Sequence, residues 1–305
     1  MATAIDSFGS TGAGSNGRVV EVINFLAAHP TESFTLSELA GHLGLSNGSA
    51  HRVLTMLTDA RFLTRHVKHK TYSLGMALVA VGQAALEKHR GLDVARREMA
   101  RLTSEIRGQC IASTFVDDEL LLLAKEGLPQ THDVLMRVGE RRPFVPPVGL
   151  GKIAWSDEQE MESYFAKTPA GMAVAVKTRM RESLELIRQR GYAMASIGDV
   201  LRNFSQAAIL PVGQRRDTAY WSRVNDLLAR LTPNEVQLID AKEAAQTGLG
   251  HMSAQVFAPN GAVVFELTLS GIPAGMSPSE IEQYADRLRA AAAIVTAETH
   301  GRAPR

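Results

Sequence analysis

A chain of 305 residues is long enough for two domains, each able to bury a core, and its 45% hydrophobic fraction is that of a globular protein. A formal charge of +1 excludes bulk electrostatics as the basis for binding a polyanion, and a single cysteine, Cys110, excludes an internal disulfide and a Cys-cluster zinc site. The longest apolar stretches, near 74–86 and 289–297, are too short and too interrupted by small residues to span a membrane, so a cytoplasmic protein is expected.

Residues 1–17 are rich in Gly, Ser, Thr and Ala and lack both a basic start and an apolar run. They read as a disordered tail rather than a signal peptide. Gly9, Gly12 and Gly14 follow no strand, so they are not a phosphate cradle. A first helix is expected over about 18–28, burying Val19, Val22, Ile23 and Leu26 and ending near His29-Pro30. Next comes the most informative segment. Thr35 and Glu38 have the T-x-x-E spacing of a capping box, and Leu36, Leu39, Ala40 and Leu43 share one helical face. Gly44 can end that helix and Ser46 can cap another, whose Ala50, Val53, Leu54 and Leu57 are buried while Gly48, Arg52, Thr55 and Asp59 point outward. Two short helices across a tight turn form a helix-turn-helix, able to place the second helix in a DNA major groove. An ordinary helical hairpin is the competing reading.

Phe62–Arg65 and Thr71–Leu74 read as strands around the basic tip His66-Val67-Lys68-His69-Lys70, which would make the motif a winged helix. A solvated charged turn is the alternative. Over 18–75 six Arg and Lys oppose four Asp and Glu, so positive charge is placed rather than abundant. Residues 76–91 then form a strongly apolar linker helix that needs a cover: a second copy of the chain, or this chain's own C-terminal domain. Beyond Gly91, Leu92, Ala95, Met99, Leu102 and Ile106 repeat at helical spacing.

The rest alternates. Strands are expected at 110–116, 120–125, 134–138, 193–197, 252–258 and 262–269, and helices at 157–167, 179–190, 217–230, 234–246 and 278–298. Asn260-Gly261 between two apolar runs is a hairpin signal. A mostly antiparallel sheet with helices against it is an α+β fold suited to small-molecule sensing. No P-loop, H-E-x-x-H or G-x-S-x-G motif occurs. Cys110 opening an apolar strand reads as a buried small hydrophobe before a nucleophile, His251 has no carboxylate partner in sequence, and Trp155 and Trp221 read as packing anchors. No catalytic constellation, metal site or cofactor is expected.

Gly44-Leu45-Ser46, Ser49 to Leu54, Leu57, Tyr72-Ser73-Leu74-Gly75, Gly151-Lys152, Arg188 to Ala193, and Pro259-Asn260-Gly261 through Ser270-Gly271 resemble the IclR-type bacterial transcriptional regulators, over nearly the whole chain after residue 18. The resemblance implies a winged helix-turn-helix DNA-binding domain (18–75), a linker helix in a dimer interface (76–91) and a GAF-like effector-binding domain (92–305). It further implies a homodimer or dimer of dimers, double-stranded DNA as partner, no membrane, and a small organic acid as effector. It places Ser46, Asn47, Ser49, His51 and Arg52 at the start of the recognition helix, and Arg65, Lys68 and Lys70 in a wing along the DNA backbone. It assigns effector contacts to Val148, Gly149, Leu150, Gly151, Met252, Ala254, Thr268 and Ser270. Three departures, Pro146-Pro147-Val148 before the Gly-Lys pair, Gln109-Cys110 and a long 198–249 stretch, suggest a more apolar pocket. The competing class is an enzyme that converts its ligand, tethered by the winged helix.

Overall fold

The computed structural model describes residues 15–128, 138–196, 198–207 and 217–304. The described residues form two compact units, one running to Ala85 and the other starting at Leu86.

In the first unit, helix α1 (Ser15–Ala28) precedes a short strand β1 (Phe34–Thr35), helices α2 (Leu36–His42) and α3 (Asn47–Asp59), and strands β2 (Leu63–Arg65) and β3 (Thr71–Leu74). The local signals act as expected. The Thr35 hydroxyl accepts from the Glu38 N–H at 3.3 Å, while the Glu38 carboxylate accepts from the Thr35 N–H at 2.7 Å, a complete capping box. Ser46 caps α3 by accepting from the Ser49 N–H at 3.3 Å. Val22, Phe25 and Leu26 of α1 meet Leu39, Leu43, Val53, Leu54 and Leu57 in one core, closed by Leu63 and Tyr72. Each such side chain contributes about 1.5–3 kcal/mol on burial. The three strands form an antiparallel sheet in the order β1-β3-β2.

Helix α4 (Ala77–Lys88) buries none of its side chains, and α5 (Gly91–Glu105) opens the main body of the second unit. Strands β4 (Gln109–Val116), β5 (Glu119–Gly127) and β6 (Arg141–Pro143) lead to helices α6 (Leu150–Ile153), α7 (Glu158–Phe165) and α8 (Val174–Arg190). Strand β7 (Ala193–Ala195) and helices α9 (Asp199–Ala207), α10 (Thr218–Leu228), α11 (Pro233–Val236) and α12 (Ala241–Thr247) follow, then β8 (His251–Phe257), β9 (Val263–Ser270) and α13 (Pro278–Glu298). The sheet is antiparallel in the order β6-β5-β4-β9-β8-β7. This is the expected α+β architecture.

Strand alternation gives the sheet two different faces. One carries Cys110, Ala112, Met252, Ala254, Leu267 and Leu269 against α5 and α13. The other carries Ile111, Ser113, Ser253, Glu266, Thr268 and Ser270, toward a second core built by α6, α7, α8 and α10 around Phe144, Ile153, Tyr164 and Val224.

Two expectations are corrected and others fall short. The expected helix 234–246 is two helices, because Gln237 is extended (φ −162°, ψ 131°) and the Leu238 N–H bonds the Met194 carbonyl at 2.8 Å. Asp240 then starts α12 afresh by accepting from the Glu243 N–H at 2.8 Å. Here a tertiary hydrogen bond overrides helix periodicity. The helix expected from 179 begins at Val174. Of the strand expected at 134–138, all but Val138 lies outside the described residues, as does Ile197, and the tail expected at 1–17 lies outside them up to residue 14. None of the described helices is long and apolar enough to cross a membrane.

Candidate functional site

The first unit presents α3 and the β2–β3 hairpin side by side. Asn47, Gly48, His51, Arg52 and Thr55 are exposed on α3. Ser46, the cap, is exposed too, but its hydroxyl is engaged with the Ser49 N–H. Ser49 is half-buried, and its hydroxyl accepts from the Arg18 guanidinium of α1 at 2.9 Å. Arg18 was not among the expected contact residues, yet this bond holds a guanidinium beside the first turn of α3; helix periodicity carries no cue to such a cross-helix bond.

The hairpin tip is closed by the His66 N–H on the Thr71 carbonyl and the Lys70 N–H on the His66 carbonyl, both at 2.8 Å. Val67, Lys68 and His69 project from it, and Val67 is 91% exposed. The Arg65 guanidinium lies 5.8 Å from the Tyr72 ring centre, within cation–π range. Between α3 and the hairpin runs a groove of about 480 Å³ lined by Thr35, Ser37, His51, Thr55, Arg65 and Lys70. Among the described residues, Arg52, Arg65, Lys68 and Lys70 form no ion pair, so four cations on one side of a small domain are free to meet an anion.

The second unit carries a partly open cavity of about 200 Å³ on the face of the sheet away from α5 and α13. That is below the roughly 300–1,000 Å³ of pockets that take drug-sized ligands, so it suits a small molecule. Six of the eight expected effector residues line it: Val148, Gly149, Leu150, Gly151, Thr268 and Ser270. Met252 and Ala254 do not. They point to the opposite face, into the core under α5 and α13, and their neighbours His251 and Ser253 take the cavity side. The register gives the reason: Ser253 stands opposite Thr268 and His251 opposite Ser270, and residues opposite one another share a face.

The loop at 148–151 is held by packing. Gly149 has φ 87°, and a Cβ there would come within 2.3 Å of the Phe144 ring. At Gly151 a Cβ would meet the Gln255 amide nitrogen at 2.1 Å and the Glu266 carboxylate at 2.6 Å. The Tyr164 hydroxyl donates to the Val148 carbonyl at 2.9 Å. Lys152 is not a cavity residue: its ammonium pairs with Glu160 and lies 5.4 Å from the Phe144 ring centre.

Sequence reasoning found the hydroxyls of Thr268 and Ser270 but missed the charged part of the lining. Arg142 on β6 is buried and pairs with Glu140 at 2.8 Å, and Glu266 is buried on β9. Burial pushes the Glu266 carboxyl above the ordinary carboxylate range, against hydrogen bonds from Gln255, Ser253 and Thr268 that pull it down. Burial also pushes the His251 imidazole down to about 4, so it is neutral near pH 7. Cys110 lies in the helix-side core with its thiol pushed up to about 12 by burial, an unreactive small hydrophobe.

A helix-turn-helix with a basic hairpin in one unit, and an antiparallel α+β unit with a cavity in the other, define a DNA-binding regulator class. Residues 17–66 match the family model of the IclR helix-turn-helix domain. Those residues are thus an IclR-type helix-turn-helix domain, and the chain as a whole is similar to IclR-type transcriptional regulators. It is 22% identical over 216 residues to the HTH-type transcriptional regulator KipR of Bacillus subtilis (strain 168), covering 69% of this chain and 85% of that protein. It is 27% identical over 194 residues to the glycerol operon regulatory protein of Streptomyces griseus, covering 60% and 73%. Among solved structures it has the fold of an IclR transcriptional regulator from Alicyclobacillus acidocaldarius, with a TM-score of 0.64, 18% identity, and 93% and 98% of the two chains covered. An IclR homologue from Microbacterium hydrocarbonoxydans, complexed with 4-hydroxybenzoate, matches with a TM-score of 0.63 and 17% identity over 94% and 99% of the chains.

Proposed function

We propose that this regulator binds operator DNA as a homodimer or dimer of dimers, and that a small organic acid in the cavity controls the binding. Residues 18–75 are the reading head, 76–91 the linker and 92–305 the sensor. In the head, Arg52 takes phosphate or guanine, and Asn47, Ser49 and His51 take base edges or nearby phosphates. Ser46 sits at the same helix start. Arg65, Lys68 and Lys70 take backbone, with Arg18 added beside the first turn of α3. The observation that carries this reading is the set of four cations around α3 and the hairpin that have no ion-pair partner among the described residues.

In the sensor, Thr268 and Ser270 offer hydroxyls to a carboxylate beside the Arg142–Glu140 pair, over an apolar floor that includes Ile111, Leu120, Val148 and Leu150. The 4-hydroxybenzoate bound by the Microbacterium homologue supports an acid, and an aromatic one fits that floor. Helix α4 leaves Met76 beside its start and Val79 and Val81 on its surface exposed, and a second copy of the chain covers them. Ligand in the cavity changes the relative setting of the two heads through α4, which requires different ligand affinities in the DNA-competent and DNA-incompetent states.

The test is selection of genomic DNA fragments by the purified protein at near-physiological salt. Enrichment of a near-palindrome, its half-sites one or more helical turns apart, is expected. No enrichment, with or without organic acids, would overturn the reading.

A further inference from the structure

Resting on the sensor reading above, we propose that His251 takes up a proton when a small acid enters the cavity, so that the sensor binds the acid's carboxylate more tightly as pH falls.

His251 opens β8 and lies half-buried on the cavity wall, with Ser270 directly opposite it on β9. Residues so placed stand about 5 Å apart at Cβ, close enough for both side chains to meet one ligand group. Among the described residues, neither the imidazole nor the Ser270 hydroxyl makes a hydrogen bond or an ion pair. Both differ in this from Ser253 and Thr268, whose hydroxyls are held by the Glu266 carboxyl further along the same face. No charged group serves the imidazole either. β7 sets Ala195 against it, β4 adds Gln109 beyond Ser270, and α6 brings Leu150 and Gly151 to the wall. Helix α13 packs on the opposite face of the sheet. Glu235 on α11 caps its own helix at Thr232, Arg142 on β6 is engaged by Glu140, and Arg202 on α9 is exposed. Burial is accordingly the sole cause that holds His251 down at about 4, with no carboxylate pulling it back up.

An acid entering this cavity carries a negative charge into surroundings of low polarity, and that charge needs a counter-charge. A carboxylate beside His251 reverses the balance that keeps the empty site neutral. The opposite charge favours the imidazolium, which draws its proton from solvent. The imidazolium N–H and the Ser270 hydroxyl then donate to the carboxylate oxygens, and acid and proton together bring no net charge into the cavity. Because the two bind together, each strengthens the other by the same factor. An uncharged amide of the same shape has no such coupling. A guanidinium keeps its charge across the whole range and would hold the acid equally well at any neutral pH. The dependence on pH is therefore the signature of His251, whose imidazole is the only one on the cavity wall among the described residues.

The experiment uses the full-length chain with 4-hydroxybenzoate, benzoate and butyrate, each paired with its uncharged amide. Isothermal titration at pH 6, 7 and 8, in two buffers of different ionisation enthalpy, reads affinity and proton uptake together. The acids that bind are expected to do so at least about tenfold more tightly at pH 6 than at pH 8, with uptake of about one proton at pH 6. Their amides are expected to show neither effect. His251→Gln is expected to bind acid at pH 6 no better than the wild type does at pH 8, and thermal melting shows whether that variant is folded. The proton count on the wild type needs no variant and decides the matter by itself. If acids bind with a flat pH profile, or without proton uptake, or if folded His251→Gln keeps the slope, the inference falls while the sensor reading stands. If neither acids nor amides bind the wild type, the sensor reading itself falls and the inference goes with it.

Discussion

At the residue scale the molecule depends on a few polar side chains whose surroundings fix their charge. Lys68 is exposed at the hairpin tip with no ion-pair partner among the described residues, so Lys68→Ala is expected to weaken binding to all DNA sequences evenly and to lower the slope of log affinity against log salt by about 1. An unchanged slope in a salt titration would remove Lys68 from the contact surface. His251 makes a prediction about stability. Its folded value of about 4 lies below its ordinary 6.5, so between those pH values the unfolded chain binds a proton that the folded one does not. Its contribution is therefore full above pH 6.5 and lost as pH falls toward 4, on the order of 3 kcal/mol in total. Glu266 has the opposite sign: its folded value is raised above 4.5, so stability is greatest below that pH and falls as pH rises through the folded value. Urea midpoints at pH 7 and pH 4.5 should draw together in His251→Gln relative to the wild type; an equal acid loss in both would assign the loss elsewhere. The cap residues Thr35, Glu38 and Ser46 were legible from sequence because each acts through its nearest neighbours. Glu266 and Arg18 were not, because their partners Gln255 and Ser49 arrive from other elements.

At the element scale, the reading head was legible almost residue by residue: capping box, turn and alternating hairpin are local signals, and the core they predict is the one that forms. The sensor strands were legible in position, with one error of parity. Pairing symmetrically about Asn260-Gly261 sets residue 253 opposite 268, so Thr268 on the cavity side already requires Ser253, not Met252 or Ala254, beside it. The hairpin reaches that register indirectly. The Ala258 N–H bonds the Ala262 carbonyl at 2.8 Å around a three-residue turn, and an irregularity between Val256 and Phe257 restores the offset. Helix α4 gives an element-scale test. A Cβ at Gly82 has nothing within 4 Å, so the isolated protomer tolerates a larger side chain there. Gly82→Leu is expected to leave the melting temperature near that of the wild type while shifting the mass in solution toward monomer, read by light scattering. An unchanged mass would take α4 out of the interface.

At the scale of the whole molecule, sequence order and sheet order disagree. Strands β4 and β9 are adjacent at the middle of the second sheet, yet more than half of that unit's sequence runs between them. The apolar floor of the cavity comes from the early strands and the loop at 148–151, while Ser253, Glu266, Thr268 and Ser270 come from the last two strands. No local window of sequence holds the whole site, which is why its charge pattern could not be read before the topology was known.

That disagreement also has a consequence for synthesis. The core of the reading head is complete once Leu74 has been made, and domains fold as units while the chain is still growing. The sensor cannot close until β9 has inserted beside β4 and α13 has covered the result, more than two hundred residues later. Through that interval the ribosome carries a finished DNA-binding head joined to a half-sheet, β6-β5-β4, whose β4 edge lies open and is ready to pair with the wrong partner. Chains cut short before residue 263 are thus expected to be defective through aggregation at that edge rather than through failure of the head, and chaperone demand should track translation of the final hairpin.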